Sequence, residues 1–176
     1  MSKVAEEILH HGHILDLAHE IHRMPDNKES GFEIIRHPGG AAALPVLDDG
    51  RLLLIRQFRP AAEDYIYEIP AGRLEIGENS AGCIERELEE EVGYRPRQLD
   101  SLGYVYSSVG FCNEKIYLFI ASELEQTQTA HEPDEFIEPV IVTLDEALKM
   151  ITAGTITDAK TQIALLRYAL QSRDKS

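Results

Sequence analysis

AGRLEIGENSAGCIERELEEEVGY, residues 71–94, joins a glycine-rich loop to a short segment with an unusual density of carboxylates. The spacing predicts a helix with Ser80 as N-cap and Gly93 in the left-handed position that ends it. Between them Ala81, Ile84, Leu88 and Val92 recur at helical spacing and form a core-facing stripe. At about 100° per residue, Glu87 and Glu91 fall on adjacent turns of one flank, with Glu90 beside them. Like charges four apart cost a helix about 0.2–0.5 kcal/mol per pair. Part of that is offset by Arg86, four residues before Glu90, while Glu85 and Glu89 read as solvent-facing. A divalent cation, which takes hard oxygen ligands, is the natural partner for the remainder.

A glutamate run by itself is usually a solvated helix face. The full spacing is more specific: Gly72, five residues to Glu78, seven more to Arg86-Glu87-Leu88, then Glu90-Glu91 and Gly93. This resembles the signature of the Nudix hydrolases, G-x(5)-E-x(7)-R-E-U-x-E-E-x-G-U with U aliphatic. The one departure is Tyr94 at the final aliphatic place. The resemblance implies an α/β Nudix fold, a mixed β-sheet sandwiched between helices. It also implies hydrolysis of a diphosphate bond with Mg²⁺ or Mn²⁺. Glu87 and Glu91 would be the principal metal ligands and catalytic residues, with the Ala71 carbonyl and Glu90 assisting. Arg86 and Glu78 would fix the geometry of loop and helix.

Length and composition bound the alternatives. With 176 residues the chain suits one core. Its 43% apolar and 27% charged content is that of a soluble globular protein. A net charge of -14 argues against a nucleic-acid surface, which needs a basic patch. The two cysteines, Cys83 in the helix and Cys112 in a loop, make no disulfide framework, and Cys83 reads as a small buried hydrophobe. No apolar run approaches a membrane span and no signal-peptide core is visible, so a cytoplasmic setting is expected.

Residues 1–38 read as a short helix or strand followed by two strands, separated by a turn at PDNKESG. His10, His11 and His13 lack the spacing of a zinc site and read as surface histidines. The arrangement resembles the N-terminal strands of dimeric ADP-ribose pyrophosphatases of the family. That implies a homodimer, with the hydrolase domain proper over 39–176.

AAALPVL and RLLLIRQF, joined by Asp48-Asp49-Gly50, read as a hairpin of strands buried on both faces. Arg56 and Arg59 end the second run on opposite faces, so one is structural and the other meets substrate. In the resembling branch the arginine after the aromatic residue contacts substrate phosphate, which favours Arg59. Tyr65–Gly72 alternates as a strand into the signature loop. Its "E-x-PAG" resembles the ADP-ribose and nucleoside-diphosphate-sugar branch. Glu68 either binds substrate or supports the loop, and Arg73 is a further candidate phosphate contact.

After the helix, Leu102–Ser107 and Lys115–Ala121 read as strands. ADP-ribose pyrophosphatases usually carry proline sixteen residues beyond the final glycine, where this chain has Val109, although Ser108, Gly110 and Glu114 match. A GDP-mannose-type or broader nucleotide-sugar hydrolase is therefore the alternative substrate class. The acidic stretch 131–138 matches a loop that brings a carboxylate to the metal in this branch. Glu135 aligns best as base or ligand, with Glu132 and Glu138 as alternatives. Two helices close the chain, starting at Leu144 and Asp158, the second packed through Ile163, Leu166 and Leu170 with Ala164 and Leu165 nearby. A non-catalytic ADP-ribose sensor is the rival of a different class. It should show a degraded glutamate set, and here the set is intact.

Overall fold

The computed structural model describes residues 1–130 and 136–173. Two compact units are present: Met1–Gly39 with Tyr106–Lys115, and Gly40–Val105 with Ile116–Ser176.

In the first unit β1 (Ser2–His11), β2 (Asp16–Arg23) and β3 (Glu29–Arg36) form an antiparallel sheet in that order. The open choice between helix and strand at the N-terminus falls to strand. β1 is exposed along all ten residues. Its neighbour β2 carries the buried Glu20, held by Arg36 and, at 2.7 Å, by His22 Nε2. The 106–115 turn joins β3 through Ile35 N to the Phe111 carbonyl, 2.7 Å. His11 pairs with Asp16 at 3.1 Å and gathers no further metal-ligating side chain around it among the described residues.

The second unit contains β4 (Gly40–Pro45), β5 (Leu52–Arg59), β6 (Asp64–Glu68), β7 (Ala71–Arg73) and α1 (Ser80–Val92). It continues with β8 (Tyr94–Tyr106), β9 (Lys115–Gln126), β10 (Ile137–Val142), α2 (Leu144–Thr152) and α3 (Ala159–Arg173). One mixed sheet runs β7-β4-β9-β8, with β4 parallel to β9 and antiparallel to β7. The second sheet runs β10-β5-β6 and is antiparallel.

The expected hairpin is corrected by this topology. Its turn is present, with Leu47 N donating to the Arg51 carbonyl at 2.8 Å, but only Val46 and Leu52 bridge. β4 and β5 then part into different sheets. Strands buried on both faces each require their own lateral neighbours, and β4 takes β7 and β9 while β5 takes β10 and β6. The predicted strand 65–72 is likewise divided at Ile69-Pro70, which carries the chain from one sheet to the other. Proline has no N–H to offer a ladder.

Alternation along β4 sorts the core. Ala42 and Leu44 pack in a cluster with Leu118, Ala164 and Leu165, on the side of α3. Ala41 and Ala43 pack with Ile84, Leu88 and Val92 of α1. Alanines at these places let a helix approach each face of the central strand.

Two helix expectations change. Asn79, not Ser80, caps α1: its Oδ1 accepts the Gly82 N–H at 2.9 Å, and Ser80 is the first helical residue. Leu166 and Leu170 of α3 face outward, Leu170 at 61% exposure. The inward stripe is Thr161, Ala164, Leu165 and Ala169, because Thr161 is drawn in by a hydrogen bond to the Ile69 N–H. α2 has a capping box between Thr143 and Glu146 and ends before Gly154, whose φ is 73°.

Candidate active site

The loop 71–79 folds back along α1 and is held there by one guanidinium. Arg86 Nη1 donates to Glu87 Oε1 at 2.7 Å and to Glu90 Oε2 at 3.0 Å. Its Nε reaches Glu78 Oε1 at 3.2 Å, and Nη2 reaches the Arg73 carbonyl at 3.4 Å. Glu78 also accepts the Glu75 N–H at 3.0 Å, closing the turn. These bonds hold the Glu78 carboxyl below the usual glutamate range, Arg86 being the main cause. Burial pulls the Arg86 pKa down, but Glu78, Glu87 and Glu90 outweigh it and raise it. Glu78 and Arg86 therefore brace the loop, as expected.

Glu91 is 3% exposed, and its Oε2 accepts the Ala71 N–H at 3.0 Å. Glu87 lies against the backbone at Gly72, where an added Cβ would stand 1.8 Å from Glu87 Oε1. A side chain at this position would push the flexible Glu87 carboxylate away from the loop. Ala71, Gly72, Glu87 and Glu91 are thus brought together, with Glu90 tied in through Arg86. Cys83 Sγ sits 3.6 Å and 3.4 Å from the Gly72 and Arg73 carbonyls. Burial, assisted by the Glu78 and Glu87 charges, pushes its pKa up to about 12, so it stays a neutral thiol. Glu89 is paired with Arg95 at 2.8 Å rather than only facing solvent.

Among the described residues no three His, Cys, Asp or Glu side chains converge as a ready cation cluster. Glu87 points to Arg86 and Glu91 to the Ala71 amide. The chemistry of the donors nevertheless suits a hard cation, since Glu87, Glu90, Glu91 and the Ala71 carbonyl all offer oxygen atoms. The glycine gap leaves the Glu87 carboxylate flush with the backbone that carries the carbonyl.

Arg59 is engaged with Glu68, Nε to Oε1 at 2.6 Å and Nη2 to Oε2 at 3.0 Å. Glu68 is 1% exposed and also receives Lys160 Nζ. Burial pushes the Glu68 carboxyl up, but the Arg59 hydrogen bond and the Lys160 charge outweigh it and hold it below the ordinary value. Arg59 is raised, chiefly by Glu68, with the Glu91 charge contributing. In this geometry Glu68 is held between two cations, Arg59 and Lys160.

Arg56 stands on the other face, 4.7 Å from the Tyr65 ring centroid and 3.2 Å from Glu138. Glu138 lies in β10 opposite Arg56. Arg73 is exposed in β7. Glu132 and Glu135 lie outside the described residues. Lys160 was absent from the candidates, since its "DAKT" context gave no hint of a partner ninety-two residues earlier.

A loop braced on a helix, a glycine that admits a glutamate and a second glutamate buried against the loop amide define a Nudix loop–helix. The chain belongs to the NUDIX family: the NUDIX domain model matches residues 36–162. It is 40% identical to the ADP-ribose pyrophosphatase of Bacillus subtilis (strain 168), covering 97% of this chain and 95% of that protein. It is 36% identical to the methanol dehydrogenase activator of Bacillus methanolicus, over 96% of this chain and 92% of that one. With a GDP-mannose pyrophosphatase of Cronobacter sakazakii it shares 34% identity over 79% of this chain and 81% of the relative. A solved structure described as an ADP compounds hydrolase superposes with a TM-score of 0.86 at 18% identity, covering 99% and 95% of the two chains. That likeness shows the fold.

Proposed function

We propose that the chain hydrolyses the diphosphate bond of ADP-ribose or a related nucleoside-diphosphate sugar, giving a nucleoside monophosphate and a sugar phosphate. The observation that carries this reading is the intact Glu87–Glu91 pair set against Gly72 and the Ala71 amide, in a chain 40% identical to an ADP-ribose pyrophosphatase.

Glu87 and Glu91, with the Ala71 carbonyl and Glu90, would hold Mg²⁺ or Mn²⁺. The bound metal would neutralise the diphosphate and lower the pKa of the attacking water. Glu91 is buried and Glu87 is pressed against the backbone at Gly72, so the oxygens that would hold the ion lie on one short stretch of loop and helix. Arg59 offers its exposed edge to phosphate oxygens, and Arg73 and Arg56 are further contacts along the substrate. Glu135 takes the proton of the attacking water, with Glu132 and Glu138 as alternatives.

Val109, where the ADP-ribose branch usually has proline, and the GDP-mannose pyrophosphatase relative favour a second reading, a broader nucleotide-sugar hydrolase. We assign the protein to the cytoplasm and to a homodimer built on residues 1–38, with 39–176 as the hydrolase domain. Support for the dimer is β1, exposed throughout, with Val4, Ile8 and Leu9 presenting apolar surface. Among the described residues no helix is long and apolar enough to cross a membrane.

The test is kcat/KM for ADP-ribose, GDP-mannose, ADP-glucose and diadenosine polyphosphates with Mg²⁺ or Mn²⁺. ADP-ribose is expected to lead. Cleavage of the dinucleoside polyphosphates alone would overturn the nucleotide-sugar reading, and binding of ADP-ribose without turnover would indicate a sensor.

A further inference from the structure

α3 begins at a knot of charged and hydroxyl groups. Asp158 Oδ2 accepts the Thr161 N–H at 2.9 Å and the Thr161 hydroxyl at 2.6 Å, the bonding of an aspartate N-cap. Thr161 Oγ1 in turn accepts the Ile69 N–H at 2.8 Å. Lys160, between these residues, places Nζ 3.1 Å from Asp158 Oδ1 and on Glu68 Oε2. Its side chain is 11% exposed, so its ammonium is committed to the two carboxylates rather than to a ligand.

Arg59 differs. Its side chain is 38% exposed, and Glu68 takes two of its five N–H donors. Nη1 has no hydrogen-bond partner among the described residues. A guanidinium held along one edge with the other open is suited to the paired oxygens of a phosphate or diphosphate.

We propose that Lys160 is a positioning residue that acts through Glu68 to aim Arg59 at the substrate diphosphate. This rests on the hydrolase reading above. Lys160 shares Oε2 with Arg59 Nη2 and adds a third bond that holds the Glu68 carboxylate in place. It also shares the Glu68 charge, so that Arg59 is not fully neutralised and keeps positive potential at its open edge. Without Lys160, the whole Glu68 charge would fall on Arg59 and weaken the pull of its open edge on the ligand. Asp158 and Thr161 seat Lys160 and at the same time fix Ile69, two residues before Ala71. The knot therefore places Arg59 and the start of the signature loop from one helix end.

The test uses the full chain with Mg²⁺, comparing Lys160→Met, Lys160→Gln, Lys160→Arg, Arg59→Ala and the Arg59→Ala/Lys160→Met double variant. Steady-state kinetics with ADP-ribose are paired with calorimetric binding of ADP, which reads diphosphate recognition without turnover. Loss of Lys160 should raise KM and weaken ADP binding about tenfold, the lower end for removing a group that orients a contacting residue. kcat should change less than about twofold, since the group acts on binding, and Lys160→Arg should restore KM. In the Arg59→Ala background the Lys160 change should add nothing.

Additive losses in the double variant, unchanged KM and ADP affinity, or an arginine variant as impaired as the methionine one would each overturn the proposal. If Lys160→Met does not fold, Lys160→Gln carries the same comparison, keeping a donor to Glu68 without its charge. Failure of the unaltered protein to cleave any nucleoside-diphosphate sugar would instead sink the hydrolase reading, and the ADP-binding comparison would still decide the role of Lys160.

Discussion

Two clusters of carboxylates and cations in this protein differ in how their charge is balanced. Around Glu68, two cations meet two carboxylates: Arg59 and Lys160 bind Glu68, and Lys160 also binds Asp158. Around α1, Arg86 is shared by Glu78, Glu87 and Glu90, with Glu91 buried nearby. Residues 71–94 hold seven glutamates against two arginines. The first cluster matches two cations with two carboxylates and acts as a strut for Arg59, whose outer edge stays open. The second carries excess negative charge beside a backbone gap, the condition under which a divalent cation is stabilised. Similar residue types thus meet with matched charges in one place and with an excess of carboxylates in the other, and the quantity that separates them is local charge balance.

The comparison breaks most sharply at Glu91. Glu91→Gln can still accept the Ala71 N–H but loses the charge needed for a metal ligand. Turnover at saturating Mg²⁺ should fall by more than about 100-fold, beyond the usual cost of removing an outer hydrogen-bond partner, with the circular dichroism spectrum retained. Near-normal rates would mean that the α1 cluster is also only a strut.

Gly72→Ala is the next test. Its Cβ would stand 1.8 Å from Glu87 Oε1, so the carboxylate must move from the loop. A loss of about 10–100-fold in kcat/KM is expected, the range for misplacing a ligand's support. Full activity in the Gly72→Ala protein would show that Glu87 does not need this placement.

The Glu68 cluster should declare itself through stability and pH. Its carboxyl is held below the ordinary glutamate value of about 4.3. A lowered folded pKa makes its contribution complete above that ordinary value and lost as pH falls through the lowered one. Glu68→Gln should cost about 3 kcal/mol at neutral pH, the low end for breaking a buried pair, because Lys160 keeps Asp158. The stabilities of the two proteins, read from urea unfolding, should converge as pH drops below about 4.3. A difference independent of pH would remove charge pairing as the cause.

The smallest effect concerns the helix under the acidic cluster. Asn79→Ala removes the acceptor for the Gly82 N–H and should lower stability by about 1 kcal/mol with kcat unchanged, measured by thermal melting and steady-state rates. A large fall in kcat would mean that the cap also sets the loop.

Much of the α1 region was legible because its information is local. The spacing from Gly72 to Gly93 located the bracing arginine, the flank that carries Glu87 and Glu91 and the αL cap, all within one loop and three helical turns. Asn79 displaced Ser80 as cap because both are good acceptors, and only the backbone turn decides between adjacent ones. Leu166 and Leu170 misled for a related reason. Their apolar spacing is helical, yet the inward face of α3 was chosen by Thr161, a polar residue whose hydroxyl bonds Ile69 N. The hairpin reading failed because a strong turn specifies reversal, not continued pairing.

The sequence by itself determined the family, the reaction class it implies and the carboxylates proposed for its chemistry, because helical periodicity turns short spacings into geometry. Tertiary structure decided which cation meets which carboxylate when the partners are distant. Lys160 reaches Glu68 across ninety-two positions, and Arg59 reaches it across two strands of one sheet. Such pairs are selected by packing and by the cost of burying an unpaired charge. That cost exists only once the chain has closed around them.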